Sequence, residues 1–272
     1  MPGFRMTPAL AVYNELKDKV QFLYSKLKWF KYENAVGRSL AVSIVETVTL
    51  ALYKQTQHIA TKIAIWRDFK PACSYKTLVV NMNRCGLLAL LAMMVIMREN
   101  RKHAHPVKHT DSTDIPVCLN KNGKRHQTMY GLAAWGYSGK GMFYGLKLHL
   151  TTDLKRQILS TMFSPGNTHG TKIFQKLNKD LEGIFVADAE FVSEKLGREF
   201  YQEHRRILFA KPRKNMRKLA TLSQQKLYET RVAIEFNFRD LKMFFGLVTS
   251  LPRSVDGYLA NYFYSILAYA LR

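Results

Sequence analysis

Three carboxylates in this sequence stand where chemistry is done. Asp111 lies in HTDSTDI, Asp188 ends the apolar run GIFVAD, and Glu235 falls inside YETRVAIEFNFRDLK. If the residues around Asp111 form a strand, Val107, His109, Asp111 and Thr113 share one face. An acid in the middle of a core strand is costly unless it is paired or bound to a metal. On an edge strand Asp111 faces water instead, and Asp114 is a rival. A carboxylate at the C-terminal end of a buried α/β strand occupies the position where ligand sites form. Asp188 equally suits a helix N-cap, with Glu190 as its rival. Tyr228, Arg231, Glu235, Phe238 and Lys242 step by three or four residues and line one face of a helix. Taken alone, Arg231 and Glu235 read as a surface ion pair worth roughly a few tenths of a kcal/mol. Together the three acids suit another chemistry. Hard Mg²⁺ prefers carboxylate oxygens, and two such ions activate an attacking oxygen and stabilise a leaving one in phosphoryl transfer. Arg231 and Lys242, on the face of Glu235, are then suited to grip phosphates.

Composition names the class of partner. There are 42 Lys and Arg against 20 Asp and Glu, a net charge of +22 spread over both halves of the chain. Such a field attracts polyanions, nucleic acid first and an anionic membrane surface second. A hydrophobic fraction of 47% excludes wholesale disorder. Cys73, Cys85 and Cys118 are odd in number and widely spaced, which excludes a disulfide framework and a paired zinc knuckle and fits a reducing cytosol. The start, MPGFRMTPAL, has no secretory apolar region. The longest apolar run, Gly86 to Met97, is too short to span a bilayer and reads as a core helix. A cytoplasmic protein with no membrane partner is the expectation.

The elements that must position these acids follow from periodicity. Residues 9–100 read as helical: Leu40, Ile44, Val48 and Leu52 recur every four residues. HIATKIAIWRDF stops before Pro71, and Ser74 can cap a further helix, YKTLVVNMNRC, so the pair is either a helix-turn-helix or part of an ordinary bundle. Residues 101–106 are polar and read as a linker. Beyond them VKHTDST alternates, MFYGLKLHLTTD and RQILSTMFS follow as strands, then a helix near 169–179, a buried strand EGIFVAD, a helix from Ser193 and a strand RILFA. The helix that carries Glu235 and a last apolar helix from Tyr258 to Ala270 complete an α/β pattern around a mixed sheet. The basic loop KPRKNMRK contributes Lys211, Arg213 and Lys214 as candidate phosphate contacts. Trp135, Tyr137, Phe143 and Tyr144 suit either strand packing or base stacking.

YETRVAIEFNFRDLK resembles the signature Tyr-x2-Arg-x3-Glu-x6-Lys of a large group of bacterial insertion-sequence transposases of the DDE class. DSTDIPVC is similar to their first-Asp motif, which makes Asp111 the family acid. YGLKLHL resembles their Gly-x-Lys-x-His strand, giving Gly145, Lys147 and His149. VADAEF resembles their second-Asp motif, on Asp188 and Phe191. Two departures stand out: Gly170 occupies a position that is often Asp, and TDLKRQ lacks a Gly common in that turn. The resemblance covers about 107–272. It implies an RNase H-like catalytic domain (107–272) preceded by an all-helical DNA-binding region (1–100), with Asp111 on the first strand, Asp188 after the fourth and Glu235 on a later helix. It further implies two Mg²⁺ ions, replaceable by Mn²⁺, on Asp111, Asp188 and Glu235, with cutting at element ends and attack of the freed 3′-hydroxyl on target DNA. By the same resemblance Tyr228, Arg231, Lys242, Lys147 and His149 contact DNA. The partners implied are double-stranded terminal inverted repeats and target DNA, bound by a homodimer at the bacterial nucleoid. Two other readings compete: a non-catalytic DNA-binding remnant, and a structure-selective nuclease on the same fold.

Overall fold

A computed structural model describes residues 8–33, 40–191, 193–204, 206–210 and 221–272 of the chain. Lys211, Arg213 and Lys214 lie outside the described residues. By its contacts the chain divides into two compact units, Met1–Val95 with Asp240–Arg272, and Ile96–Arg239.

The first unit is helical: α1 (Pro8–Lys26), α2 (Ile44–Thr56), α3 (Lys62–Phe69), α4 (Tyr75–Arg84), the start of α5 (Gly86–Lys102) and α10 (Val255–Ala270). Its centre is α2, where Val48, Leu50 and Leu52 are almost fully buried against α1, α4 and α10. Side-chain oxygens set the helix starts: Ser43, Thr61, Ser74 and Ser254 each accept a backbone N–H three residues on. The expected cap at Ser74 is present. From the sequence, residues 107–272 are expected to form one domain, whereas α10 packs on α2 and α4. The cause is its composition. Tyr258, Tyr262, Ile266 and Leu267 are fully buried and Asp256 is its one charged residue, so it needs apolar neighbours on nearly every side. α4 and α5 form one apolar stretch, Tyr75–Lys102, long enough by length and composition to cross a bilayer. Leu78, Met82, Leu88, Ala89 and Met93 are buried in protein contacts, while Val80, Leu87, Leu91 and Met94 are exposed.

The second unit is a mixed sheet with helices. Its strands are β1 (Val107–Pro116), β2 (Ala134–Ser138), β3 (Gly141–Asp153), β4 (Ile158–Pro165), β5 (Ile184–Ala187) and β6 (Ile207–Ala210). They run in the order β2-β3-β1-β5-β6, with β4 also on β3. β1, β2 and β4 pair antiparallel with β3, while β5 and β6 join β1 in parallel. α6 (Gly170–Leu177) and α7 (Glu194–His204) supply Phe174 and Phe200, whose rings meet Phe185 of β5 at 6.2 and 4.9 Å between centroids. Leu159, Leu181 and Phe191 complete this core. β2 was not foreseen, so Asp188 follows the fifth strand and not the fourth. Close approach explains the glycines in this region. A Cβ on Gly136 would lie 2.2 Å from the Gly166 carbonyl oxygen, and one on Gly145 would lie 2.1 Å from that of Ile115.

The expected single helix from Tyr228 is two: α8 (Leu222–Glu229) and α9 (Val232–Met243). Between them the backbone bonds run from each N–H to the carbonyl three residues back, Arg231 to Tyr228 and Ile234 to Arg231. Thr230 causes the break. Its hydroxyl donates to the Leu227 carbonyl at 2.6 Å and meets His109 Nε2 at 2.8 Å, so a side chain competes with the helical ladder.

Candidate active site

Each acid arrives on its own element. Asp111 is carried at the middle of β1, opposite Leu150 of β3. It points to the face of His109, and Asp114 to the other. Asp188 is the residue immediately after β5, and its Oδ1 accepts the Ala189 N–H at 2.7 Å. Glu235 lies in the first turn of α9. One guanidinium joins two of them: Arg231 Nη1 donates to Asp111 Oδ2 at 2.7 Å and Nη2 to Glu235 Oε1 at 2.5 Å. The Tyr228 hydroxyl donates to Asp188 Oδ1 at 3.4 Å, and the Arg231 guanidinium stands 5.7 Å from the Tyr228 ring centre. Four of the residues singled out in sequence therefore surround Arg231.

This is not the exposed helix pair that the spacing alone suggests. The side chains of Arg231 and Asp111 are 16% exposed, while that of Glu235 is 51% exposed. Burial pushes the Asp111 carboxyl up to about 7; Arg231 and the Ser112 N–H oppose the shift, and Asp188 and Glu190 add to it. For Arg231, burial works against the charge, but Asp111, Asp188 and Glu235 outweigh it and hold the guanidinium above its usual value. Burial likewise raises Tyr228, which stays a neutral phenol.

His109, two residues before Asp111 on the same face, is fully buried. Because the single Thr230 hydroxyl proton goes to Leu227, His109 Nε2 must donate to Thr230. Burial lowers the ring pKa to about 4. A neutral imidazole thus pins the turn that carries Arg231 to the strand that carries Asp111. Sequence reading passed over Thr230, although it lies within the signature and beside Arg231. Asn237 was missed as well. It exchanges hydrogen bonds of 3.0 and 3.1 Å with Arg156, which has φ +64 in the β3–β4 turn. Arg156 therefore adopts the left-handed conformation where a glycine is easier, in the TDLKRQ turn that departs from the family pattern, and it ties that turn to α9. At the other departure, a Cβ on Gly170 would lie 2.7 Å from Glu190 Oε1 and from the Phe191 ring, so no larger residue fits without a shift.

The remaining candidates are dispersed. Lys147 donates to the Thr168 carbonyl at 3.2 Å and lines a cleft of about 360 Å³ with Trp135, Tyr137, His169 and Glu190. Lys242 is half-buried in the last turn of α9. The expectation for His149 is corrected: it is 2% exposed and bonded to Ser164 Oγ at 2.8 Å, a core residue that has no free ring face for DNA.

Residues 101–254, more than half of the chain, match the transposase DDE domain. The chain belongs to that family. The three acids and all four signature residues fall within the matched DDE domain, and the mixed sheet with its flanking helices is consistent with it. No curated protein sequence matches the chain. DDE transposases generally use divalent metal ions. The donor set here fits such an ion in kind: hard carboxylate oxygens converge on one cationic group. That group is the Arg231 guanidinium, which stands in for the cation. Among the described residues no three His, Cys, Asp or Glu side chains gather closely enough to hold an ion, and the Arg231 guanidinium lies between Asp111 and Glu235.

Proposed function

We propose that this chain is an insertion-sequence transposase of the group with the Tyr-x2-Arg-x3-Glu-x6-Lys signature, which cuts DNA at element ends and joins the freed 3′-hydroxyl to target DNA. The convergence of Asp111, Asp188 and Glu235 around the Arg231 guanidinium carries this reading. The mixed sheet, with an acid at mid-strand and another at a strand end, supports an RNase H-like catalytic domain. Asp111, Asp188 and Glu235 would hold Mg²⁺ or Mn²⁺. Such ions, when bound, lower the pKa of the attacking oxygen and offset charge on the leaving one.

The chain's own residues do the rest. Arg231 exchanges its two carboxylates for a phosphodiester, whose oxygens match the same bidentate fork. That exchange makes the acids available only when DNA is seated. Tyr228, neutral and hydrogen-bonded to Asp188, orients that carboxylate and offers its ring to the cut strand. Lys147 and Lys242 extend the phosphate contacts, with Lys211, Arg213 and Lys214 from the basic loop. The helical N-terminal region adds sequence-independent DNA contact, in keeping with the charge of +22. The partners are terminal inverted repeats and target DNA, held by a homodimer in the bacterial cytoplasm.

The test uses supercoiled plasmid carrying the element's ends, with Mg²⁺. Asp111→Asn, Asp188→Asn and Glu235→Gln should each lower cleavage by roughly 10³-fold or more, the several kcal/mol that a bound metal contributes. DNA affinity in a gel-shift should stay within about threefold of wild type, since each variant removes negative charge and no phosphate contact. A variant that cuts at the wild-type rate would sink the role given to its residue. Cleavage without strand-transfer product would point to a nuclease, and binding without cleavage under any divalent ion to a remnant.

A further inference from the structure

The helical unit contains a second charged feature, independent of the acids. A cavity of about 350 Å³ opens between the end of α2, α3, α4 and the start of α10, within the range of built small-ligand sites. Lys54, Lys62 and Arg253 line it, together with Thr61, Asn83 and Ser254.

Lys54 is 8% exposed, and the hydrogen bond found for its Nζ goes to a neutral acceptor, Gln55 Oε1 at 3.3 Å. Lys62 Nζ donates to another neutral acceptor, Asn83 Oδ1, at 2.5 Å. No ion pair joins Lys54, Lys62 or Arg253 to a carboxylate among the described residues. Asp256, the acid in the first turn of α10, lines a different cavity with Val80 and Arg84. Burial pulls both lysines down to about 8, and the charge of Lys54 further lowers Lys62.

Two like charges taken out of water into one cavity, with no acid among its described lining residues, are costly to a fold. A bound anion removes that cost. The remaining wall suits an anion as well. α10 is a helix of 16 residues whose N-cap, Ser254, faces the cavity, so the positive end of its dipole adds to the lysines. Thr61 and Ser254 supply hydroxyls, and Arg253 stands exposed at the mouth.

We propose that this cavity is a phosphate-binding site, in which Lys54, Lys62 and Arg253 hold the oxygens of a phosphate group. The phosphate belongs either to a DNA backbone or to a free phosphate compound. Neither case depends on the catalytic reading, because the site shares no residue with the acids.

The experiment takes the full chain and inorganic phosphate, titrated at constant ionic strength against chloride and followed by calorimetry and by ³¹P line width. Wild type should bind phosphate. Arg253→Gln and Lys62→Met should each weaken that binding by at least about tenfold, one charge-assisted contact being lost. Should Lys62→Met fail to fold, Arg253→Gln decides alone, since it changes an exposed side chain. A 20-base-pair duplex that narrows the ³¹P line of bound phosphate in wild type identifies the DNA backbone as the source. A line left broad by the duplex identifies a free phosphate compound. No phosphate binding by wild type, or unchanged affinity in the folded variants, overturns the site.

Discussion

The residues that set this protein's chemistry are polar groups in poorly hydrated surroundings, and each is balanced differently. Asp111 is balanced by a guanidinium, Lys54 and Lys62 among the described residues by neutral amides, and His149 by losing its proton. His149 allows a clean measurement. Burial lowers its pKa to about 4, with the charge of Lys147 adding to the shift, against about 6.5 in an unfolded chain. Below pH 6.5 the unfolded chain takes up a proton that the folded chain refuses. The stability contributed by this ring is therefore complete above pH 6.5 and is lost as the pH falls towards 4. At pH 5 the loss is about 2 kcal/mol, from a shift of about 1.36 kcal/mol per pH unit over this window. His149→Gln keeps a hydrogen-bonding group opposite Ser164 and cannot titrate. Urea unfolding at pH 7 and pH 5 should show wild type losing about 2 kcal/mol more than the variant. Equal losses would mean that His149 is hydrated, and its place in the core would be wrong.

Elements position the acids through bonds that are distant in sequence. The turn between α8 and α9 depends on Thr230, whose hydroxyl links Leu227 to His109 of β1, 121 residues away. Thr230→Val keeps the shape and removes both bonds. It should destabilise the chain by about 1–3 kcal/mol, because His109 Nε2 is left buried without a partner. Cleavage should fall by more than that loss explains, as α8 and α9 approach one continuous helix and Arg231 leaves Asp111. Thr230→Ser retains the hydroxyl and should cut within about threefold of wild type. Equal activity of the valine and serine variants would refute the role of the turn. The same bond shows what was legible in the sequence. β1, β3, β4 and β5, with Asp111 on the first and Asp188 just after the last, follow from alternation and apolar runs, which are local. The break at Thr230 was not legible, because the stripe of Tyr228, Arg231 and Glu235 fits an unbroken helix equally well and only a contact with β1 decides. β2 was hidden for a related reason. AWGYS is short, and Gly136 is there because the Gly166 carbonyl presses on it, which no local pattern encodes. His149 misled because its place in a Gly-x-Lys-x-His strand resembles a DNA contact, whereas the pleat turns it into the core.

At the scale of the whole molecule, the helical unit is assembled from both ends of the chain, α1–α4 and α10. Its core includes Gln55, whose side chain donates to the Asn261 backbone and side-chain oxygens at 2.9 Å, and a close approach at Gly86. A Cβ on Gly86 would lie 2.7 Å from the Ala260 Cβ and 2.8 Å from its Cα. Elsewhere, replacing a helical glycine by alanine stabilises by roughly 0.5–1 kcal/mol. Here the backbone of α10 would have to move, and overpacking costs about 1–3 kcal/mol, so Gly86→Ala should be destabilising. Hydrogen exchange can tell where. Amides of α2, α4 and α10 should lose protection together, since a unit that opens cooperatively does so as one. Those of β1, β3 and β5, whose pairing does not involve α10, should keep theirs. Uniform loss across both sets would show that the two units unfold as one, and a gain in protection would show that α10 does not pack on the start of α5.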